Sequence, residues 1–566
     1  MADLHRSAKW GRLALIAAAV AVSAPSCGKA SLTSLPTLPT FAPVVPLTSA
    51  DVNTIIARAV ASLDSPDLHV AVVDRTGQLL GAYSAAGVTV ADEDNIAVGL
   101  ARTTAFFSNS QAPLSSRTVE TLSTFHFPPA FSDPLVASQI PQSPGVGTFP
   151  TTVLAPNRTT AGVVGTAQGP LWQIQATNRG ADIATAATTP PTTFVTDAQF
   201  DFTTFNPSRN IDATFPSPGI VSLPGAVPLY KGGRLVGGVG VYVCAAGSAI
   251  PDVAAGEFAA IQGATGDGTP GNENFFLAIP NAGAIYILGI LLPYVQQTAR
   301  PAGYGVGTFP APGGGFVFAA ADGRKDPFGY LIGPRAAVDG GPTQTLTQVD
   351  VETIIDQVVA SANITRAQVR LPLGSGAKVI AVVVDTRGLI LAHFRMEDTL
   401  CDAVDVVPAK ARSVVYYCRP GGPDVADQWP GFPLGDPRGI ALTTRTLGFL
   451  SQPFFPPGID YNSANPGPLF NLARFNQLPA QATTWGHAGA DNGYRNGLTF
   501  FPGSVPLYKN GELVGALGVS GDGVEQNDLI AFDGGRGFEP PPELRIDNFS
   551  FQGVQLPYLK FPQSPR

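Results

Sequence analysis

The sequence predicts an α+β protein of two tandem domains, each an antiparallel sheet flanked by helices, with long Pro/Gly-rich inserts. The strongest observation is a phrase that occurs twice. Residues 224–241 and 502–519 both read Pro-Gly-x-Val-Pro-Leu-Tyr-Lys-x-Gly-x-Leu-Val-Gly-x-x-Gly-Val, which identifies an internal repeat. Each copy predicts a β-hairpin, because a short apolar strand enters a Gly-containing turn and returns as a second apolar strand.

Two segments before this hairpin also repeat, in the same order. Residues 47–52 and 346–351 each start a helix, with a threonine N-cap and an aspartate three residues later in the pattern of a capping box. Residues 69–83 and 379–394 each read as two apolar strands joined by an Asp-x-x-Gly turn. Helices and hairpins in this order predict an α+β layer.

A second helix follows the strand pair in each copy. Residues 96–107 align with residues 406–417. Because proline is tolerated only in the first turn of a helix, we expect the second of these helices to start near Pro408. Residues 113–119 and 441–447 then share a further phrase, Leu-Ser/Thr-Ser/Thr-Arg-Thr.

Each copy ends in an apolar tail that closes with Leu-Pro-Tyr, at 279–294 and at 545–558. The first tail resembles a membrane helix, but its uninterrupted apolar run of about 12 residues is short of the roughly 20 that span a bilayer. The second tail contains Arg545, Asp547 and Gln552. We therefore expect both tails to be packed strands or docking segments.

The repeats divide the chain into five segments. They are a signal peptide, read as lipoprotein type, at 1–27, a Pro/Ser/Thr-rich tether at 28–46, a first domain at 47–295, a Gly/Pro-rich linker at 296–342 and a second domain at 343–566. Long inserts lie at about 120–222 and about 448–501. Segments this long without regular structure are usually functional or packed on their own domain.

The N-terminus has the pattern of an export signal. Three basic residues precede the apolar run 13–22, and small residues lead to Cys27, where a bacterial lipoprotein carries its lipidated cysteine. A plain secreted protein and a retained anchor are the alternatives. We expect an exported protein of the periplasm, outer membrane or cell surface that contacts membrane only through the lipid on Cys27.

The remaining cysteines are Cys244, Cys401 and Cys418. In an exported chain, Cys401 and Cys418 are the plausible disulfide, and closing that loop stabilises by roughly 3 kcal/mol in the chain-entropy model. Cys244 ends an apolar strand and reads as a buried free thiol. The net charge of −8, with no run of Lys or Arg in the body, gives no support to nucleic-acid binding.

Four phrases of the second domain resemble the GlcG/HbpS family (DUF336), the haem-binding or haem-degrading domain also found at the C-terminus of PduO-type cobalamin adenosyltransferases. The phrases are Val383-Val384-Asp385, His393-Phe394-Arg395-Met396, Lys410-Ala411-Arg412-Ser413 and Gly518-Val519-Ser520-Gly521. The first domain is similar but has Ser84-Ala85-Ala86-Gly87 in place of the Arg-Met loop. The resemblance implies a profilin-like fold, frequent oligomers and haem as the cofactor.

A haem needs an axial donor, an apolar slot and cations for its propionates. On the resemblance, His393 is the first candidate for the axial and metal ligand, beside Arg395 and Met396. Lys410 and Arg412 would meet the propionates, and His487, on a Gly-rich insert, is a second donor. The alternatives are a half-buried strand histidine, a loop histidine and ordinary helix cations. Catalytic residues are not predicted, because no nucleophile–base set follows from local spacing.

Two hypotheses from different classes follow. The first is an exported haem- or tetrapyrrole-binding protein, non-catalytic or weakly redox-active. The second is a cell-envelope structural or partner-binding module that uses the same fold as a scaffold, as a homo-oligomer or with an envelope partner. A haem-degrading enzyme is a third reading, taken from the family label alone.

Overall fold

A computed structural model describes the chain from Pro43 onward, and residues 43–566 form one compact unit. Cys27 lies outside the described residues. Those residues are 43–85, 91–124, 127, 169–171, 174, 220–244, 251–277, 285–318, 320, 322–323, 326–337, 344–420, 439–452, 455, 467–469 and 500–565.

The first half of this unit contains one five-stranded sheet. Its helices are α1 (Ser49–Ser62), α2 (Ala91–Phe107), α3 (Ser116–Leu122) and α4 (Val253–Ala264). Its strands are β1 (Leu68–Asp74), β2 (Leu79–Ser84), β3 (Ala226–Lys231), β4 (Arg234–Val243), the short pair β5 (Tyr286–Ile287) and β6 (Ile290–Leu291), and β7 (Gly315–Phe318). The sheet has the order β3-β4-β1-β2-β7, and all its neighbours are antiparallel.

The second half repeats this architecture. Its helices are α5 (Gln348–Ile364), α6 (Ala403–Cys418), α7 (Thr444–Leu450) and α8 (Val524–Gly534). Its strands are β8 (Gly329–Ile332), β9 (Val379–Asp385), β10 (Ile390–Arg395), β11 (Ser504–Lys509), β12 (Glu512–Gly521), and the short pair β13 (Ser550–Phe551) and β14 (Val554–Gln555). The sheet order β11-β12-β9-β10-β8 matches that of the first sheet.

Residues 296–342, predicted as a linker, contribute one edge strand to each sheet. Strand β7 pairs with β2 in the first half, and β8 pairs with β10 in the second. No strand is predicted in this segment, because four-residue edge strands among glycines and prolines carry little apolar periodicity.

Each sheet is covered on both faces. In β1, Val70 and Val72 pack in the cluster beneath α1 and α4, whereas Ala71 and Val73 pack in the cluster beneath α2. The return strand of the repeated hairpin lies so close to α2 that a Cβ on Gly238 or Gly240 would collide with backbone oxygens of that helix. These glycines are therefore required for helix–sheet contact.

The capping boxes form as the sequence predicts. The hydroxyls of Thr48 and Thr347 accept from the backbone N–H three residues on, and each aspartate accepts in return from the cap residue. The lysine of the repeated phrase completes each box, since Lys231 Nζ lies 2.6 Å from Asp51 and Lys509 Nζ lies 2.8 Å from Asp350. The hairpin turn is thus fixed to the start of the first helix in both halves.

The apolar tails are docking segments. The hydroxyl of Thr118 in α3 donates to Pro293 O at 2.7 Å, and Thr446 in α7 donates to Pro557 O at 2.7 Å. The shared Leu-Pro-Tyr ends therefore seat on the first turns of two equivalent helices. Among the described helices, none combines the length and apolar character needed to cross a bilayer.

Helix α6 begins at Ala403, so the prediction of a start near Pro408 was wrong by about one turn. Pro408 sits inside the helix, where it removes one hydrogen bond and costs about 3 kcal/mol. Val404, Val407 and Val414 are buried on the same helix, and each contributes roughly 1.5–3 kcal/mol. The buried apolar face outweighs the proline.

Candidate functional site

His393, the predicted axial ligand, lies in β10 between two paired strands. It is opposite Val382 of β9 and Ile332 of β8, and its side chain is completely buried. Burial first, and then the charges of Arg395 and Arg412, lower the pKa of His393 to about 3. The imidazole is therefore neutral at any physiological pH, but it does not reach the surface.

Lys410 ties helix α6 to the repeated hairpin. Its Nζ donates to Pro502 O at 2.8 Å, to Val519 O at 3.1 Å and to the Ser520 hydroxyl at 3.0 Å. An ammonium group has three donors, and all three are used here. Lys410 is buried, so it holds the fold and does not face a ligand.

Arg412 closes the Asp-x-x-Gly turn of the second half. Its Nε donates to Gly388 O at 3.1 Å, just as Arg102 Nε donates to Gly77 O at 2.6 Å in the first half. Both arginines are buried. The equivalent contacts show that the Lys410-Ala411-Arg412 segment of α6 positions its arginine on a turn rather than at the surface.

Arg395 and Arg75 converge on one carboxylate between the two halves. Arg395 Nη1 lies 2.5 Å from Asp326 Oδ1, and Arg75 Nε from the first sheet lies 3.9 Å from Asp326 Oδ2. Both guanidinium groups also donate to Thr399 O, at 2.7 Å each. The loop after β10 is thus held by an arginine from each half.

Arg370 forms a second buried network in the same region. Its Nη1 donates to Asp398 Oδ2 at 2.7 Å, and its Nε pairs with Asp522. The first half contributes Ser110, whose hydroxyl donates to Asp398 at 2.7 Å. Burial alone would raise the pKa of Asp398, but Arg370 and then Arg75 hold it below its usual range.

Further contacts extend this surface, which we call the inter-half interface: residues 369–375 and 396–401 against residues 106–111, Arg75 and Arg234. Arg234 Nη2 lies 3.0 Å from Glu397, Asn109 Nδ2 donates to Val369 O at 2.9 Å, and Cys401 N donates to Phe106 O at 3.1 Å. The loop predicted to hold haem is therefore packed against the other half of the chain.

The predicted disulfide between Cys401 and Cys418 does not form, and both thiols are free and buried. Cys418 is the last residue of α6 and Cys401 precedes its first. Sixteen helical residues span about 24 Å, whereas a disulfide needs Cα atoms within about 7 Å. Burial raises the pKa of Cys401 to about 11 and of Cys418 to about 12, so neither is a reactive thiolate. Cys244 is buried and outside any disulfide, and its Sγ lies 3.5 Å from Tyr242 Oη.

The predicted set does not fit a haem as these side chains are arranged. His393 is sealed between strands, Met396 is buried in a core cluster, and the three cations donate to protein oxygens. His487, the other predicted donor, lies outside the described residues. In the part of the chain that is described, no group of His, Cys, Asp and Glu has the arrangement of a metal site.

A cleft of about 160 Å³ opens beside the second repeated hairpin, between Pro506, Phe538, Arg545 and Tyr558. Typical ligand pockets are about 300–1,000 Å³, so this one is too small for a tetrapyrrole. Arg545 lies over the Tyr558 ring at 4.5 Å and is paired with Asp547. The cleft is therefore not a second place for haem.

Sequence reasoning missed the residues of the inter-half interface, above all Arg75, Arg370 and Asp398. A signal was present. Charged residues are only 13% of the chain, and these three stand at positions that the two halves do not share. A charge that occurs in one copy only is a candidate for a contact between copies.

The fold and these networks define a protein of two similar α+β halves joined through buried arginine–carboxylate pairs. Residues 468–535 match the family described as haem degrading protein HbpS-like. The match lies in the second half of the chain, and that region is what is similar to the HbpS-like family.

Solved structures that are similar to this chain include proteins titled PduOC, DUF336 and HbpS. The PduOC:heme complex is 21% identical over 34% of this chain and 93% of that chain, with a TM-score of 0.21. Klebsiella pneumoniae protein ORFY (DUF336) is 18% identical over 36% of this chain and 96% of that chain, with a TM-score of 0.21. A double mutant of Streptomyces reticuli HbpS is 17% identical over 36% of this chain and 95% of that chain, with a TM-score of 0.20. No curated protein sequence matches the chain.

Proposed function

We propose that the protein is an exported haem- or tetrapyrrole-binding protein of the GlcG/HbpS type that is non-catalytic or weakly redox-active. The observation that carries the proposal is the HbpS-like match at 468–535. That range contains the repeated hairpin, its helix α8 and His487.

The proposal takes His487 as the axial donor rather than His393. His393 is completely buried, and a haem iron would reach its ring only if α6 separated from the sheet. That separation would expose the buried apolar face of α6, and each of its several valines would lose roughly 1.5–3 kcal/mol of burial free energy. His487 lies within the matched range, on a Gly-rich segment.

A hemin titration of the full chain tests this proposal. We expect a Soret shift that saturates, with an affinity reduced at least tenfold in His487→Ala and unchanged in His393→Ala. The second variant is a fair control because Ala82 occupies the equivalent strand position of the first sheet. A flat titration of the unmodified chain ends the haem proposal, and loss of binding in His393→Ala with a retained fold returns the site to β10.

A second candidate is the partner-binding or structural module. The observation in its favour is that Arg395, which the resemblance places at a ligand, instead shares Asp326 and Thr399 O with Arg75 of the first half. This candidate predicts that protein purified from its native envelope has no Soret band and instead forms a defined oligomer or retains a partner. A bound chromophore in that material excludes it.

We also propose export with a lipid on Cys27. The basic residues, the apolar run 13–22 and the cysteine position support it. Metabolic labelling with a fatty acid should mark the unmodified chain and not Cys27→Ser. Labelling of both chains, or of neither, contradicts the lipoprotein assignment.

A further inference from the structure

The tails of the two halves carry a matched pair of small hairpins. Strands β5 and β6 pair Tyr286 with Leu291, and β13 and β14 pair Ser550 with Gln555. The turns have the same backbone. Leu288 and Gly289 have φ angles of 51° and 80°, and Gln552 and Gly553 have φ angles of 51° and 78°.

The inner sides of these hairpins are alike, and the outer sides are opposite in chemistry. Ile287 is buried in the core of the first half, and Phe551 and Val554 pack on the core of the second. On the outside, the first hairpin exposes three large apolar side chains, Tyr286 (50%), Leu288 (66%) and Leu291 (54%). The second exposes Ser550, Gln552 and Gln555 at the same positions.

The second hairpin therefore shows that this backbone does not need apolar residues on its outer side. Leu288 is also in left-handed backbone, which disfavours any side chain that carries a Cβ, and its side chain contributes little to the core from that exposed position. Packing and local conformation both leave this leucine unexplained. A contact outside the chain explains it.

The charged residues of the two tails differ, and this difference indicates what the first hairpin contacts. Residues 274–299 contain no Lys, Arg, Asp or Glu, whereas the corresponding tail has Arg545, Asp547 and Lys560. An uncharged tip with a tyrosine at its base suits the boundary between lipid head groups and hydrocarbon, where amphipathic aromatic rings are enriched.

Area argues against a second copy of the chain as the occupant. Three side chains that are about half to two-thirds exposed present on the order of 300 Å², whereas a stable protein interface buries about 800 Å² on each partner. A lipid surface needs no complementary partner, because binding there scales with the apolar area inserted. The described body also begins 16 residues after Cys27, a reach of roughly 55 Å.

We propose that the hairpin Tyr286–Leu291 inserts its outer side chains into the interfacial layer of a membrane. This contact is additional to the lipid on Cys27 and independent of haem. It would fix the orientation of the first half against the bilayer.

A local probe tests the insertion. In the full chain with Cys27→Ser, an environment-sensitive dye is attached at Leu288→Cys, or at Gln552→Cys as the matched control. The cysteines of the described body are buried and remain unlabelled in the folded protein. With phosphatidylcholine–phosphatidylethanolamine vesicles, we expect a blue shift and quenching by spin-labelled lipid at 288 and no change at 552. Equal signals at the two positions overturn the proposal.

A swap of the outer side chains tests the energetics without a label. The variant Y286S/L288Q/L291Q places on the first hairpin the residues that the second carries on the same backbone, so the fold should be retained, as circular dichroism would verify. We expect vesicle partitioning of the Cys27→Ser chain to fall at least fivefold. Unchanged partitioning overturns the proposal. So does a dimer of the parent chain that the swap dissociates in the absence of lipid, since the occupant is then a second copy.

Discussion

The two halves of the chain share one architecture and differ in how they use polar residues. Three buried or half-buried contacts occur in both halves. They are the lysine that completes the capping box, the arginine on the Asp-x-x-Gly turn, and the α3 or α7 arginine paired with a helix carboxylate. Because they recur in two sequences that have diverged, these contacts maintain the fold.

The contacts that occur once have a different role. Arg75 and Arg234 of the first half reach the second, but the positions equivalent to them are Thr386 and Glu512. The interface is therefore asymmetric. The second half contributes the loop after β10, and the first half contributes Arg75 and Arg234, which bind that loop. The comparison separates polar residues that hold a domain from those that join two domains, without any other sequence.

The largest loss of stability is expected from replacing Arg370, which occurs in the second half only. Arg370→Met removes the cation that pairs with both Asp398 and Asp522, and we expect a loss of about 3–5 kcal/mol because these buried carboxylates lose their partner. Urea unfolding measures it. Arg536→Ala is the control and should change stability by less than about 0.5 kcal/mol, because its guanidinium is exposed and its partner Asp533 keeps the hydrogen bond from Ser361. A loss below 1 kcal/mol for Arg370→Met would show that the interface is not the main link.

Glu120 is a second single-copy charge, since Gly448 stands at the equivalent position of α7. Burial raises its pKa to about 7 despite Arg117 nearby. Between pH 4.5 and 7 the folded state keeps a proton that the unfolded state releases, so stability falls across that window and levels off above it.

The variant Glu120→Gln should remove this pH dependence. We expect it to be roughly 2–3 kcal/mol more stable than the parent chain above pH 7 and equal to it below pH 4.5. Urea unfolding at pH 4, 6 and 8 provides the comparison. A constant difference across the three pH values would contradict the assignment.

The shared turn arginines should behave alike in the two halves. Arg102→Met and Arg412→Met each leave a buried glycine carbonyl without its donor, at a cost of about 1–3 kcal/mol. Hydrogen exchange of the two Asp-x-x-Gly turns would locate each effect. Unequal losses, confined to one half, would mean that the shared geometry does not imply shared energetics.

The smallest effect belongs to the capping lysines. Lys231→Met and Lys509→Met break pairs whose lysines are partly exposed, so each should cost less than about 1 kcal/mol. The cost should shrink in 1 M salt, where the Debye length is about 3 Å. A loss above 2 kcal/mol that does not respond to salt would contradict this ranking.

Elements with strong local signals were predictable from the sequence. The capping boxes at Thr48 and Thr347 and the repeated hairpins appear where the pattern puts them, because capping and turn chemistry act over three or four residues. The start of α6 was misplaced, since the proline rule is local and the buried valines that override it are not.

The candidate site was less predictable, for a physical reason. A histidine next to an arginine and a methionine looks the same in sequence whether it faces a ligand or a neighbouring strand. His393 was sealed by β8, which comes from residues predicted as linker, and Arg395 was turned toward Asp326 of the same segment.

By itself, the sequence determined two similar α+β halves, the capped starts of their first helices, their closing hairpins and a resemblance of the second half to the HbpS-like family. Only the tertiary structure decided that the halves join through Arg75, Arg370 and Arg395, and that the two cysteines of the second half stay apart. Patterns within a dozen residues specify local structure through backbone hydrogen bonding and apolar spacing. The partner of a buried arginine lies from 28 residues away, as for Arg370 and Asp398, to 324 residues away, as for Arg75 and Thr399, and only packing brings the two together.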